Sequence, residues 1–161
     1  MENIFDICSF FVHKGIRDDI PISQLKLQKL LYFSQGFYIA QHNQPLFKNS
    51  IYAWKYGPVV KEVYEKFRYF GNNFITLNNY SSILSTDFID RFRDLDNDSK
   101  YLLNFIWDNF SSYSAFELVE LTHVPDSPWY NIYKKYNGNP PDDTTIPIND
   151  IKSYFLETYF N

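Results

Sequence analysis

The sequence predicts a mainly α protein, a single bundle of about six or seven helices with one minor, short β element. Three observations point there. Apolar residues recur at a spacing of three to four through most of the chain, the period of a helix with one buried face. Helix start signals of the Ser-Pro and Ser-x-x-Glu kind punctuate that pattern. The 161 residues are 45% hydrophobic and include 16 Phe and 14 Tyr, enough to bury a sizeable core and far from a disordered composition. No repeat, linker or low-complexity tract interrupts the chain, so residues 1–161 read as one domain.

Taken in order, the first helix is expected from Asn3 to Lys14, with Ile4, Ile7, Cys8 and Phe11 inward and Gly15 as its stop. A second follows Pro21-Ile22, capped by Ser23, with Leu27, Leu30, Leu31, Ser34 and Tyr38 on one stripe up to Gln41. Ile51 to Tyr56 is β-branched and aromatic and reads as a brief strand. Pro58 then suits the first position of a helix, which needs no N–H there. That helix is expected to bury Val60, Val63, Tyr64 and Phe67, to pair Lys61 with Glu65 and Glu62 with Lys66 outside, and to end at Gly71. Between Asn72 and Asp96 an extended "NFITL" and a short helix near Asp87–Leu95 are expected. A helix from Asp98 carries Leu102, Leu103, Ile106 and Phe110. Ser114 and Glu117 form a capping box for a helix through Thr122. Ser127 and Pro128 start another, with Trp129, Ile132 and Tyr136 packing and Gly138 ending it. After a small "TIPI" strand, Asn149 caps a last helix bearing Ile151, Tyr154 and Phe155.

Net charge is −4, which argues against general nucleic-acid binding, so no direct DNA contact is expected. The charge is uneven. Val12–Asn72 holds nine Lys/Arg against four Asp/Glu, and Asn73–Asn161 six against thirteen. This fits either local attraction for an acidic partner or an ordinary dipolar distribution. The aromatic surplus fits surface Tyr and Trp at an interface, or an AT-rich genome. A lone Cys8 excludes an internal disulfide and a thiolate zinc cluster. The absence of a leader pattern and of an apolar run long enough to span a membrane gives the expectation of a cytoplasmic protein.

Catalytic signatures are missing. His13, His42 and His123 stand alone, without the spacing of a metal site. His123 ends a capped helix, where a structural or dipole-favoured cation is the plain reading and a catalytic base the sharper one. "SQLK", Ser23–Lys26, has the S-x-x-K form of serine acyltransferases but lacks their partner motifs, and Ser23 already has a role as cap. There is no nucleophile elbow or phosphate loop, and neither cofactor nor metal is expected. A small hydrolase or nucleic-acid-processing enzyme, using His123, Lys26 and a carboxylate such as Glu120, is kept only as the minor alternative.

The second helix carries the more informative pattern. Gln28, Tyr32, Gln35 and Ile39 fall on one stripe, and Lys26, Lys29 and Phe33 on another. Two amides around a tyrosine make a hydrogen-bonding ladder. It can meet a partner, or it can pack on this chain's own loops.

Four blocks then identify a family. They are "LKLQKLLYFSQGFYIA", "PLFKNSIYAWKYGPVVKEVYEKFRYFG", "SAFELVELTHVPDSPW" and the terminal "IPINDIKSYF". In this order and spacing they resemble the Panacea domain, the SocA-like antitoxin domain also carried by phage-associated GepA proteins. The resemblance implies a compact helical, non-enzymatic antitoxin of a type II-like toxin–antitoxin pair, which neutralises a cognate protein toxin from an adjacent gene by direct contact. It also implies, as the alternative, an adaptor that delivers the toxin to an AAA+ protease. The motif positions fall on Lys26, Gln28, Lys29 and Tyr32, with Gln35 on the same stripe, then on Trp54, Tyr56, Gly57 and Pro58, and on His123 and Trp129; these are the candidate partner-binding residues. The Val124–Ser127 spacer, with an added Pro125, departs from the family's usual small spacer, and a reshaped loop is expected there. Neither the toxin nor the oligomeric state follows from the sequence.

Overall fold

The computed structural model describes all residues 1–161, and its architecture is organised around one buried helix. Helix α1 spans Ile4–Asp18 and α2 Gln24–His42, and strands β1 (Ile51–Trp54) and β2 (Gly57–Val60) form an antiparallel hairpin. Then come α3 (Lys61–Phe67), a 3₁₀ turn at Arg68–Phe70, the short α4 (Tyr80–Ile83) and a 3₁₀ stretch at Thr86–Asp94. Helices α5 (Asn97–Phe110), α6 (Ala115–Thr122), α7 (Pro128–Lys135) and α8 (Ile148–Tyr159) complete the chain. The fold is mainly α with one small two-stranded sheet.

Every residue of α2 from Lys26 to Phe37 is buried. A helix apolar on all sides belongs in a core; here polar side chains share that burial because each main polar face meets backbone from a neighbour. Helices α1, α3, α5, α6 and α8 and strand β2 all pack on it. The aromatic centre is dense: Phe33 stacks on Phe110 at 4.6 Å, while Phe155 of α8 meets Tyr32, Phe33 and Phe37 edge-on at 5.3–6.0 Å. Gly36 allows this, since a Cβ there would come within 2.3 Å of the Phe155 ring. Helix α1 is held to the 3₁₀ stretch at Thr86–Asp94 by an Arg91–Asp6 ion pair of 2.8 Å and by the Phe92 N–H donating to Ser9 Oγ at 3.0 Å.

Three of the four expected caps are present. Ser23, Ser114 and Ser127 each accept a backbone N–H of the first turn, and Ser114 with Glu117 closes a reciprocal capping box. Other boundaries differ. Helix α1 runs past Gly15, which is buried close to the Ile20 carbonyl and Ile22, and stops at Asp19 in the left-handed region at φ 53°. Pro58 lies in a strand, not at a helix start; α3 begins three residues later at Lys61. The strand tolerates proline because its partner Ala53 turns its own N–H away, to the Thr144 carbonyl at 2.9 Å. Tyr64 is outside the buried stripe, and the Lys61/Glu65 and Glu62/Lys66 pairs are not closed as salt bridges. "TIPI" contributes one bridging residue, Thr145 beside Tyr52, and α8 starts after Pro147 with Ile148 rather than under an Asn149 cap.

Candidate partner-binding site

The hairpin is the structural focus of the motif residues, and α2 holds it. Gln28 grips Val60 with both ends of its amide: Nε2 donates to the Val60 carbonyl at 3.0 Å, and Oε1 accepts the Val60 N–H at 2.8 Å. Lys29 Nζ donates to the Pro58 carbonyl at 2.9 Å. Two helical turns further on, Gln35 repeats the amide grip on the preceding loop, donating to the Phe47 carbonyl at 2.8 Å and accepting the Leu46 N–H at 2.7 Å. The spacing of this ladder follows from the helix, since positions three and seven apart face one direction. These groups act as the sheet partners that β2 lacks. On the other side, β1 is covered by Thr144–Ile146, with the Ile146 N–H donating to the Ile51 carbonyl at 2.7 Å. Both edges of the hairpin are therefore closed to strand addition.

The third motif block closes on the same corner. Trp129 Nε1 donates to the Trp54 carbonyl at 2.7 Å, and Trp129 stacks flat on His123 at 3.6 Å and on Tyr133 at 4.1 Å. Gly57, at φ 106°, is constrained twice: by its positive φ, and by space, because a Cβ would lie 2.8 Å from Thr122 Oγ1 and 3.0 Å from Lys29 Nζ. Lys29 is completely buried, and burial pulls its amine down to about 7. Burial, with a smaller contribution from the Lys29 charge, lowers His123 to about 4, and its Nε2 is buried without a hydrogen-bond partner. An amine poised near neutrality has the chemistry of a base. Lys29 has no exposure through which a substrate would reach it, and its bond to the hairpin carbonyl gives it a structural task.

Beside this corner lies an open groove of about 1410 Å³ between the hairpin, the start of α2, the Gly71–Phe74 loop and the start of α6. Its volume exceeds the roughly 300–1,000 Å³ of small-molecule pockets. Trp54, Tyr56, Tyr64, Phe74, Tyr113 and Phe116 line it. Tyr56 is 55% exposed, Phe74 53% and Phe116 70%, an unusual concentration of solvent-facing aromatic area. Trp54 is half-buried, edge-on to Tyr64 at 5.0 Å, with Nε1 donating to the Asp142 carbonyl at 3.0 Å.

The structure thus sorts the eleven sequence candidates. Gln28, Lys29, Tyr32 and Gln35 are inside; the amides and the lysine serve the chain's own backbone, and the Tyr32 hydroxyl is buried without a partner. Gly57 and Pro58 shape the hairpin, and Trp129 and His123 brace it from behind. Lys26, Trp54, Tyr56 and, though buried, Gln28 line the groove. Phe74, Tyr113 and Phe116 join them there, and sequence reasoning did not select them. Their only signal was the surplus of aromatics beyond what the apolar stripes needed. No group of three or more His, Cys, Asp or Glu is placed to hold a metal, and no helix is long and apolar enough to cross a membrane.

The central helix of this helical domain thus clamps a proline-bearing hairpin beside an open aromatic groove. Comparison with known proteins agrees with the motif blocks: residues 27–130 match the model of the antitoxin SocA-like, Panacea domain, and the chain belongs to that family. It is also 33% identical over 124 residues to Antitoxin SocA of Caulobacter vibrioides (strain NA1000 / CB15N), an alignment covering 76% of this chain and 66% of the relative. No solved structure matches.

Proposed function

We propose that this protein is a non-enzymatic antitoxin that neutralises a cognate protein toxin, the product of an adjacent gene, by direct contact through the groove beside the hairpin. Family membership and the name of its relative support the antitoxin role. The observation that carries the location is the cluster of exposed Tyr56, Phe74 and Phe116 around one open groove. Rigid aromatics at the centre of an interface supply much of its affinity. The buried motif residues then have an indirect part: they fix the corner that presents Trp54 and Tyr56, so little order has to be gained on binding.

The test is co-expression with each neighbouring small open reading frame. A toxic product that becomes harmless with this protein, and co-purifies with it, is the expected result. A neighbour that is harmless alone, or that remains toxic and unbound, refutes the proposal. Following toxin levels in the same cells separates the modes of action: a stable, sequestered toxin marks neutralisation by binding, and a toxin that disappears only when an AAA+ protease is present marks delivery.

A further inference from the structure

The floor of the groove holds a charge that this chain leaves unpaired. Lys26 is 6% exposed, and its Nζ donates to the Ser111 carbonyl at 2.6 Å. An ammonium has three N–H donors, so that bond leaves donors unused. No carboxylate lies within ion-pair distance; the salt bridges of the protein are Arg17–Asp18, Arg91–Asp6 and Arg93–Asp90. Glu117 is near enough for its field to reach Lys26, but it turns Oε1 to the Ser114 N–H at 3.0 Å in the capping box. On the same floor Gln24 Oε1 is buried without a partner, while its Nε2 donates to the Gly71 carbonyl at 3.0 Å. A lysine sequestered among apolar walls without an anion is costly, and an incoming carboxylate relieves that cost.

We infer that the groove receives a segment of the protein partner in which an acidic side chain, flanked by apolar residues, seats its carboxylate on Lys26 Nζ while the flanking side chains pack on Tyr56, Phe74 and Phe116. Gln24 Oε1 accepts a backbone N–H of the same segment. Because both edges of the hairpin are closed, the segment is held through side chains and this floor, not by joining the sheet. The inference rests on the antitoxin reading above and names the kind of toxin segment that fits.

Its test uses the full chain and the neighbouring product that co-purifies with it. Lys26→Met and Phe116→Ala should each weaken binding at least tenfold, with thermal midpoints measured to establish that both variants fold. Phe116 is mostly exposed, so its variant keeps the test valid if Lys26→Met does not fold. In the toxin, one Asp→Asn or Glu→Gln change should weaken binding to the native antitoxin and have no further effect on Lys26→Met, or on Phe116→Ala weaken it additively. Undiminished binding by folded Lys26→Met or Phe116→Ala overturns the inference while leaving the antitoxin reading intact. If no neighbouring product binds, that reading fails separately, and a peptide pair decides the groove: acetyl-Leu-Phe-Glu-Phe-Leu-amide against its Gln counterpart, titrated by NMR. Shifts at Lys26 and Phe116 with several-fold tighter binding of the Glu peptide support the inference. Equal affinities, or no binding, overturn it.

Discussion

Replacing Gln28 with Leu removes the amide that stands in for a third strand. The substitution keeps the apolar stem, but it leaves the N–H of Val60 without a partner and takes from the Val60 C=O, the N-cap carbonyl of α3, the bond that Gln28 donates; Val60 is 1% exposed. A buried donor left unmade costs about 1–3 kcal/mol and a lost hydrogen bond about 0.5–1.5 kcal/mol, together about 1.5–4.5 kcal/mol. Leucine's more favourable burial, on the order of one methylene, offsets about 1 kcal/mol of this. The expected net loss is about 0.5–3.5 kcal/mol, which for a domain of this size lowers Tm by roughly 1–14 °C at about 2–4 °C per kcal/mol. Urea unfolding followed by circular dichroism gives the free energy, and amide hydrogen exchange at Val60 reports the local effect. Gln28→Glu sharpens the reasoning: the carboxylate still accepts the Val60 N–H but cannot donate to the carbonyl, so this variant should regain stability as the pH falls and the acid is protonated. A loss below about 0.5 kcal/mol for Gln28→Leu, with Val60 still protected, would refute the account of α2 as the support of the hairpin.

Other expectations follow from the same contacts. Lys29 has a folded value of about 7, below its ordinary 10.5, so the unfolded chain binds more protons between those limits and stability rises with pH through that window, by at most about 1.4 kcal/mol per pH unit. The midpoint in urea should therefore increase from pH 7 to 9, and Lys29→Met should abolish the rise; an unchanged slope in that variant would assign it elsewhere. Gly36→Ala puts a methyl group into the Phe155 ring at the junction of α2 and α8. It should destabilise by at least about 1–3 kcal/mol, measured by thermal unfolding, and Phe155→Leu in the same chain should recover part of the loss. Ser114→Ala breaks the capping box of α6. A loss of about 1 kcal/mol is expected, together with faster exchange of the Glu117 amide.

The sequence by itself determined the helical class, most helix starts and the family. Those properties are carried by local rules: the Ser side chains of Ser23, Ser114 and Ser127 reach only their own first turns, and apolar spacing of three to four is set within each helix. The Gln28–Tyr32–Gln35 stripe was also visible, but which way it faces was not. An amphipathic helix declares its buried side by contrast, and α2 has none, because it is buried all round and its amides are satisfied by backbone from distant loops. Pro58 misled for a related reason. Its fixed φ suits a helix start and a strand alike, and only the pairing of Ala53 with both Pro58 and Thr144 shows that no N–H is needed there. The groove was decided entirely by tertiary structure. Tyr56, Phe74 and Phe116 are far apart in the chain and individually unremarkable, and they become one surface because α2 locks the hairpin against the start of α6.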